Sequence, residues 1–192
     1  MRIFVRESAE QRGKLQPGRL GSLVEDVVPT TLEQAPPRSL SARFGEGRLP
    51  FHMDSAHRLV PARTLVLGCV DPGTASVPTI LIETNSLNLS AEEKQLLSFA
   101  TLLVRTGRKS FFSSVLSSER PFFRYDPGCM EATDEVGELA FRIMVRAIQD
   151  APKYEFHWHQ GDVLVINNWQ TLHGRGDSTS TADRHLLRAV AI

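Results

Sequence analysis

The sequence predicts an α+β fold built on a β core. Three observations carry that prediction: β-rich runs come first, two helical stretches occupy the middle, and β-rich runs return at the end. A regular alternation of strand and helix, which would signal a parallel sheet, is absent. The 192 residues favour one domain spanning residues 1–192. A chain of this size buries roughly 70% of its unfolded surface, enough for a hydrophobic core without staples.

The first 48 residues read as an irregular arm. They mix Arg6, Glu7, Glu10, Arg12 and Lys14 with Pro17, Gly18, Gly21, Pro29 and Pro36-Pro37, leaving room for an early strand over Arg2–Arg6 and one short helix. From Leu49 the pattern is regular. Arg63–Val70 and Val77–Thr84 are rich in β-formers, with Asp71-Pro72-Gly73 between them as turn chemistry. Ser90-Ala91-Glu92-Glu93 is a capping box, followed by Leu96, Leu97, Ala100 and Leu103 at helical spacing. A second helix is expected from about Thr133, with a core-facing stripe of Val136, Leu139, Ala140, Ile143, Ala147 and Ile148 and Pro152 beyond its end. Strands follow at Asp162–Asn167 and His185–Ile192.

Composition narrows the function. Lys and Arg number 22, Asp and Glu also 22, so there is no basic excess for nucleic acid or a membrane surface. The longest apolar stretch, Leu65–Val70, is far too short to span a bilayer. The run Ile3–Val5 stops at Arg6 and Glu7, so no signal peptide is expected. Cys69 and Cys129 are too few for a disulfide framework, which points to a reducing cytoplasm.

Three runs carry chemistry. In Phe51-His52-Met53-Asp54, residues two apart on a strand face the same way, so His52 and Asp54 would project side by side and could share a metal ion. Alone, His-x-Asp is a weak signal, and a surface histidine beside an aspartate is commoner. In the second run, an apolar strand ends at Asn167-Asn168 and His173 follows. A His-x-Asp pair with one distant histidine is the ligand set of the facial triad of non-haem Fe(II), which leaves positions open for a co-substrate and dioxygen. In the third run, a strand places Arg184, Leu186, Arg188 and Val190 on one face. Two arginines facing a barrel interior require an anion, and a dicarboxylate suits their planar forks.

In this order and spacing the three runs resemble the taurine-dioxygenase and clavaminate-synthase-like branch of the Fe(II)/2-oxoglutarate oxygenases. The resemblance covers roughly residues 49–192. It implies a double-stranded β-helix, a cupin-like jelly roll, with core strands in 49–84 and 157–192 and a helical insertion over 85–156. It implies His52, Asp54 and His173 as iron ligands. It matches Thr79, 25 residues after Asp54, to a threonine that helps hold 2-oxoglutarate. Arg188, 15 residues after His173, matches the arginine that grips the distal carboxylate, and Arg184 a supporting arginine. The implied reaction uses dioxygen, converts 2-oxoglutarate to succinate and hydroxylates an unactivated carbon of a small polar molecule, such as an amino acid or natural-product intermediate. Desaturation and ring closure follow from the same hydrogen abstraction. Asp54 argues against halogenation, because halogenases carry a small residue there. The competing readings are an inactive jelly-roll binding module, which would have little reason to keep both arginines and the ligand set, and a zinc hydrolase, in which the arginines have no role.

The chain is short for such a family. That implies an open substrate site, or a lid borrowed from another subunit of a homo-oligomer; lid candidates within the chain are residues 29–48 and 109–129. Ser55 and Arg124 are the substrate-contact candidates, with a rim salt bridge as the alternative for Arg124. His157 and His159 read as strand residues before the Gly161-Asp162 turn, His57 is undecided, and the tripeptide Arg175-Gly176-Asp177 reads as chance. Asp177 and Ser178 suit a turn, and Cys69 a small buried apolar position.

Overall fold

A computed structural model describes residues 1–18, 21–35, 39–75, 77–106, 109–179 and 183–192. In chain order the elements are α1 (Arg2–Glu10), β1 (Leu15–Gln16), β2 (Glu25–Val27), α2 (Ser41–Phe44), β3 (Leu49–His52), β4 (Thr64–Asp71) and β5 (Thr79–Glu83). Then come α3 (Ala91–Phe99), β6 (Leu102–Arg105), β7 (Ser110–Ser113), β8 (Met130–Ala132), α4 (Glu135–Asp150), β9 (Tyr154–Phe156), β10 (Val163–Asn167), β11 (Thr171–Arg175) and β12 (His185–Ala191).

Two antiparallel sheets form the core. One runs β1-β12-β4-β10, with β2 also paired to β12; the other runs β3-β11-β5-β9. This is the expected jelly-roll arrangement. Side-chain alternation explains how each strand is buried. Leu65, Leu67 and Cys69 of β4 and Leu186 and Val190 of β12 pack inside, with Trp158 and Ile166. Val66, Leu187, Ala189 and Ala191 point outward, where α1 covers them with Val5 and Ala9. The apolar run Leu65–Val70 is therefore buried on both faces. Gly68 lets α1 lie close, since a Cβ there would stand 2.4 Å from Val5 Cγ2.

The outer face of the second sheet, through Ile82 and Leu172, packs on the inserted segment. That segment contributes α3, α4 and a small sheet in the order β7-β6-β8. The Ser90–Glu93 capping box forms at the start of α3. Asp134 caps α4, accepting from the Gly137 amide at 2.7 Å. Among the described residues, no helix is long and apolar enough to cross a membrane.

Several expectations need correction. Arg2–Arg6 is helical: Val5 and Ala9, four apart, form a buried stripe, and Arg6 pairs with Glu10 across one turn. A short apolar run does not by itself distinguish strand from helix. The first 48 residues are not irregular throughout, because β1 and β2 complete the β12 edge. The α4 stripe is rotated, with Ala140, Ile143, Met144 and Ala147 buried while Val136 and Leu139 are exposed. Helix α3 stops at Phe99, so Leu103 belongs to β6. Phe122 and Phe123, within the lid candidate 109–129, are buried in the core. Pro36 and Pro37 lie outside the described residues.

Candidate metal centre

His52 and His173 meet across the β3–β11 pair, where they are direct register partners. Their rings lie 4.4 Å apart at 50°. His52 Nδ1 is 2.9 Å from the Pro50 carbonyl, which can only accept, so Nδ1 is the donor in that contact and Nε2 is the ring nitrogen left for a metal. His173 is buried, and its Nδ1 has no hydrogen-bond partner among the described residues. Burial, with His52 and Arg188 nearby and Asp54 opposing, lowers its pKa to about 3. The ring is therefore neutral near pH 7 and able to act as a ligand.

Asp54 is not on the strand. Strand β3 ends at His52, and Asp54 sits in a turn whose next residue, Ser55, has φ 62°. Its place is set by the Asn168 side chain. Asn168 Oδ1 accepts from the Asp54 amide at 2.8 Å, and Nδ2 donates to the Asp54 carbonyl at 2.9 Å and the Ala62 carbonyl at 2.7 Å. The carboxylate accepts from the Ser55 amide at 3.0 Å and from Arg188 Nη1 at 3.2 and 3.3 Å. Burial alone would raise its pKa, but Arg188 first, then His173, His52 and His57, bring it to about 2, so it is ionised.

The two arginines occupy different settings. Arg188 lies between carboxylates, with Nη2 donating to Glu25 Oε2 at 2.6 Å as well as Nη1 to Asp54. Its pKa is raised, chiefly by Asp54. Arg184 is 3% exposed and has no carboxylate partner among the described residues. It donates from Nη1 to the Val77 carbonyl at 3.1 Å, and its Nε is unpaired. Burial, then the Arg175 charge, lowers its pKa to about 10. Thr79, two residues beyond Val77, is also buried, and its hydroxyl accepts from Trp158 Nε1 at 3.0 Å.

Among the described residues, no three His, Cys, Asp or Glu side chains stand closed around a common metal position. Arg188 lies against the Asp54 carboxylate. The donor chemistry nonetheless fits non-haem iron: two imidazoles, that of His173 neutral, and one ionised carboxylate, with a buried His173 ring nitrogen that lacks any other partner among the described residues.

Arg124 makes no rim salt bridge among the described residues and supports the loop that follows Asp54. It is 1% exposed and donates to the carbonyls of Ala56, Arg58 and Leu59, immediately after the Asp54 turn. Its guanidinium lies over the Phe111 and Phe122 rings at 5.1 Å each. Among the described residues it has no carboxylate partner. Ser55 touches the site through its amide. His157 and His159 are exposed beside Glu155 and Asp162. Arg175 is buried against the Gly45 and Gly47 carbonyls; Asp177 accepts locally from the Thr179 amide, whereas Ser178 is tied to the distant Glu46 carbonyl. Sequence reasoning missed Glu25 and Asn168. Asn168 gave a signal only as half of an Asn-Asn turn, and Glu25 gave none.

The fold has known counterparts. An asparagine oxygenase in complex with Fe(II), 2S,3S-3-hydroxyasparagine and succinate superposes with a TM-score of 0.74 at 19% identity, covering 94% of this chain and 60% of that one. The non-haem iron oxygenase OrfP in complex with Fe and alpha-ketoglutaric acid gives 0.77 at 21% identity, covering 98% and 63%. The chain thus spans about three-fifths of the length of these structures. No curated protein matches it in sequence. The sequence profile described as taurine catabolism dioxygenase TauD, TfdA family matches residues 82–190. With more than half of its residues so matched, the chain belongs to the TauD/TfdA dioxygenase family.

Proposed function

We propose that the protein is an Fe(II)/2-oxoglutarate-dependent oxygenase that hydroxylates an unactivated carbon of an amino acid or similar small polar molecule. The observation that carries this reading is the pair of imidazoles, His52 and His173, in register with rings 4.4 Å apart beside ionised Asp54. These three residues would hold the iron. Bound Fe(II) supplies the activation of dioxygen coupled to decarboxylation of 2-oxoglutarate to succinate. The remaining work falls to the polypeptide. The Pro50 carbonyl orients the His52 ring, and burial keeps His173 unprotonated.

The structure supports exchanging the arginines relative to the sequence expectation. Arg184 is a buried cation with, among the described residues, an unpaired Nε and no carboxylate partner; it donates to the Val77 carbonyl, two residues before Thr79, and so is suited to the distal carboxylate of 2-oxoglutarate. Arg188, already held by Glu25 and Asp54, stands beside the ligands and suits an anionic group of the substrate. The structural counterparts hold hydroxyasparagine and alpha-ketoglutaric acid, which supports the amino-acid reading.

The test is anaerobic titration of Fe(II)-loaded protein with 2-oxoglutarate, followed by its weak visible charge-transfer band. Arg184→Ala should weaken 2-oxoglutarate binding by roughly 30-fold or more, as breaking a buried charged pair does. Arg188→Ala should change it only a few-fold. The opposite order would return the distal carboxylate to Arg188, and absence of the band in the unaltered protein would leave a jelly roll without this chemistry.

A further inference from the structure

Asp54 lies beyond the end of β3, so no strand ladder fixes it. Among the described residues, the only groups that pair its peptide N–H and C=O belong to one side chain, that of Asn168. A primary amide presents the same donor and acceptor as a peptide group, so Asn168 substitutes for the missing ladder partner. The side chain is 1% exposed, and its second donation, to Ala62, ties down the far end of the same loop. Its own amide donates to the Arg63 carbonyl at 2.8 Å. Asn168 also lies at the turn joining β10 to β11, five residues ahead of His173. One buried amide therefore couples the segment bearing Asp54 to the strand bearing His173, and β11 in turn carries the register with His52.

We propose that Asn168 is the positioning residue of the metal centre, setting where the Asp54 carboxylate stands relative to the two imidazoles. The proposal rests on the reading of Asp54 as a ligand. It is a claim about backbone placement, since the amide touches Asp54 only through its peptide groups. Trp169 provides the contrast. Its Nε1 donates to the Pro61 carbonyl at 3.0 Å, anchoring the same loop without touching Asp54.

The experiment measures Mn(II) affinity of the metal-free protein by calorimetry and the absorption spectrum of its Co(II) form, with urea unfolding alongside. Four variants are compared: Asn168→Ala, Asn168→Ser, Trp169→Phe and Asp54→Ala. Loss of Asn168 should weaken Mn(II) binding by about ten- to a hundred-fold, the range typical of removing a group that orients a ligand, and should alter the Co(II) bands. Trp169→Phe should lower stability while leaving Mn(II) affinity within about two-fold. Folded Asn168 variants with unaltered affinity and spectrum, beside an Asp54→Ala protein that no longer binds, would overturn the positioning role alone. Equal weakening in Trp169→Phe would overturn it too, by reducing the effect to general loosening of the loop. Failure of both Asn168 variants to fold would make the amide a determinant of the fold and not of the site. Undiminished Mn(II) binding in Asp54→Ala would remove the ligand assignment, and the proposal with it.

Discussion

Replacing Arg124 by Met tests how a buried cation without a carboxylate partner can stabilise this fold. Burial, aided by the Arg120 charge, holds the Arg124 guanidinium near a pKa of about 10 against an ordinary 12.5. At about 1.4 kcal/mol per pH unit, that is a standing cost of about 3–4 kcal/mol, which Met would relieve. Against it stand three carbonyls that Met cannot satisfy. Leu59 is exposed, so its carbonyl can rehydrate, but Ala56 is fully buried and Arg58 is half-buried. Two charge-assisted bonds at about 1.5–3 kcal/mol each, with about 1–2 kcal/mol for the two ring contacts, outweigh the relief. Arg124→Met should therefore destabilise the protein by about 2–4 kcal/mol, read as a lower urea midpoint with an unchanged slope. Arg124→Lys should be no better, since it keeps a buried charge and loses the fork. A loss under about 0.5 kcal/mol for Met, or full recovery with Lys, would refute the reasoning.

Gly174, beside His173, has space for nothing larger: a Cβ would stand 2.9 Å from the Leu49 carbonyl of the neighbouring strand. Gly174→Ala should cost about 1–3 kcal/mol in urea unfolding and weaken Mn(II) binding by spreading β3 from β11. Asp26 has its pKa lowered first by Arg2 and then by His185, so its contribution is present above its ordinary 3.8 and disappears as pH falls through the lower folded value. Asp26→Asn should accordingly be less stable than the unaltered protein at pH 7 and indistinguishable from it near pH 2, by urea unfolding at both. Burial pushes the Cys69 thiol up to about 11, so a thiol reagent at pH 8 should modify Cys69 only when urea unfolds the chain.

The sequence made the long elements legible because their signals are local, whereas the jelly roll followed only from the family resemblance. The capping box at Ser90, the turn at Asp71-Pro72-Gly73 and the alternation in β12 each depend on neighbours within a few residues. The misread parts depend on distant partners. Val5 and Ala9 become a helical stripe only because β4 and β12 offer a face to cover. Arg124 could be placed only once the carbonyls of residues 56–59 had a position. For the site, histidine and aspartate were visible as residue types, but their means of support were not. Asn168 reads as turn chemistry until its side chain is seen against Asp54, and Glu25 lies in a stretch with no regular pattern until β2 pairs with β12.

Strand β12 has a kinetic consequence. Its partners precede it by 114 residues at the least, for His185 and Asp71, and by 176 at the most, for Ala191 and Leu15. Closure over such separations makes for slow folding, because chain entropy is lost before contacts repay it. On a ribosome adding roughly 5–20 residues per second, β4 waits on the order of ten seconds for the strand that pairs along nearly its whole length. Through that interval a strand that is apolar on both faces presents a bare edge. Yield in the cell should then depend on what shields β4 until synthesis reaches residue 191, and slower elongation between residues 71 and 185 should lengthen the exposure.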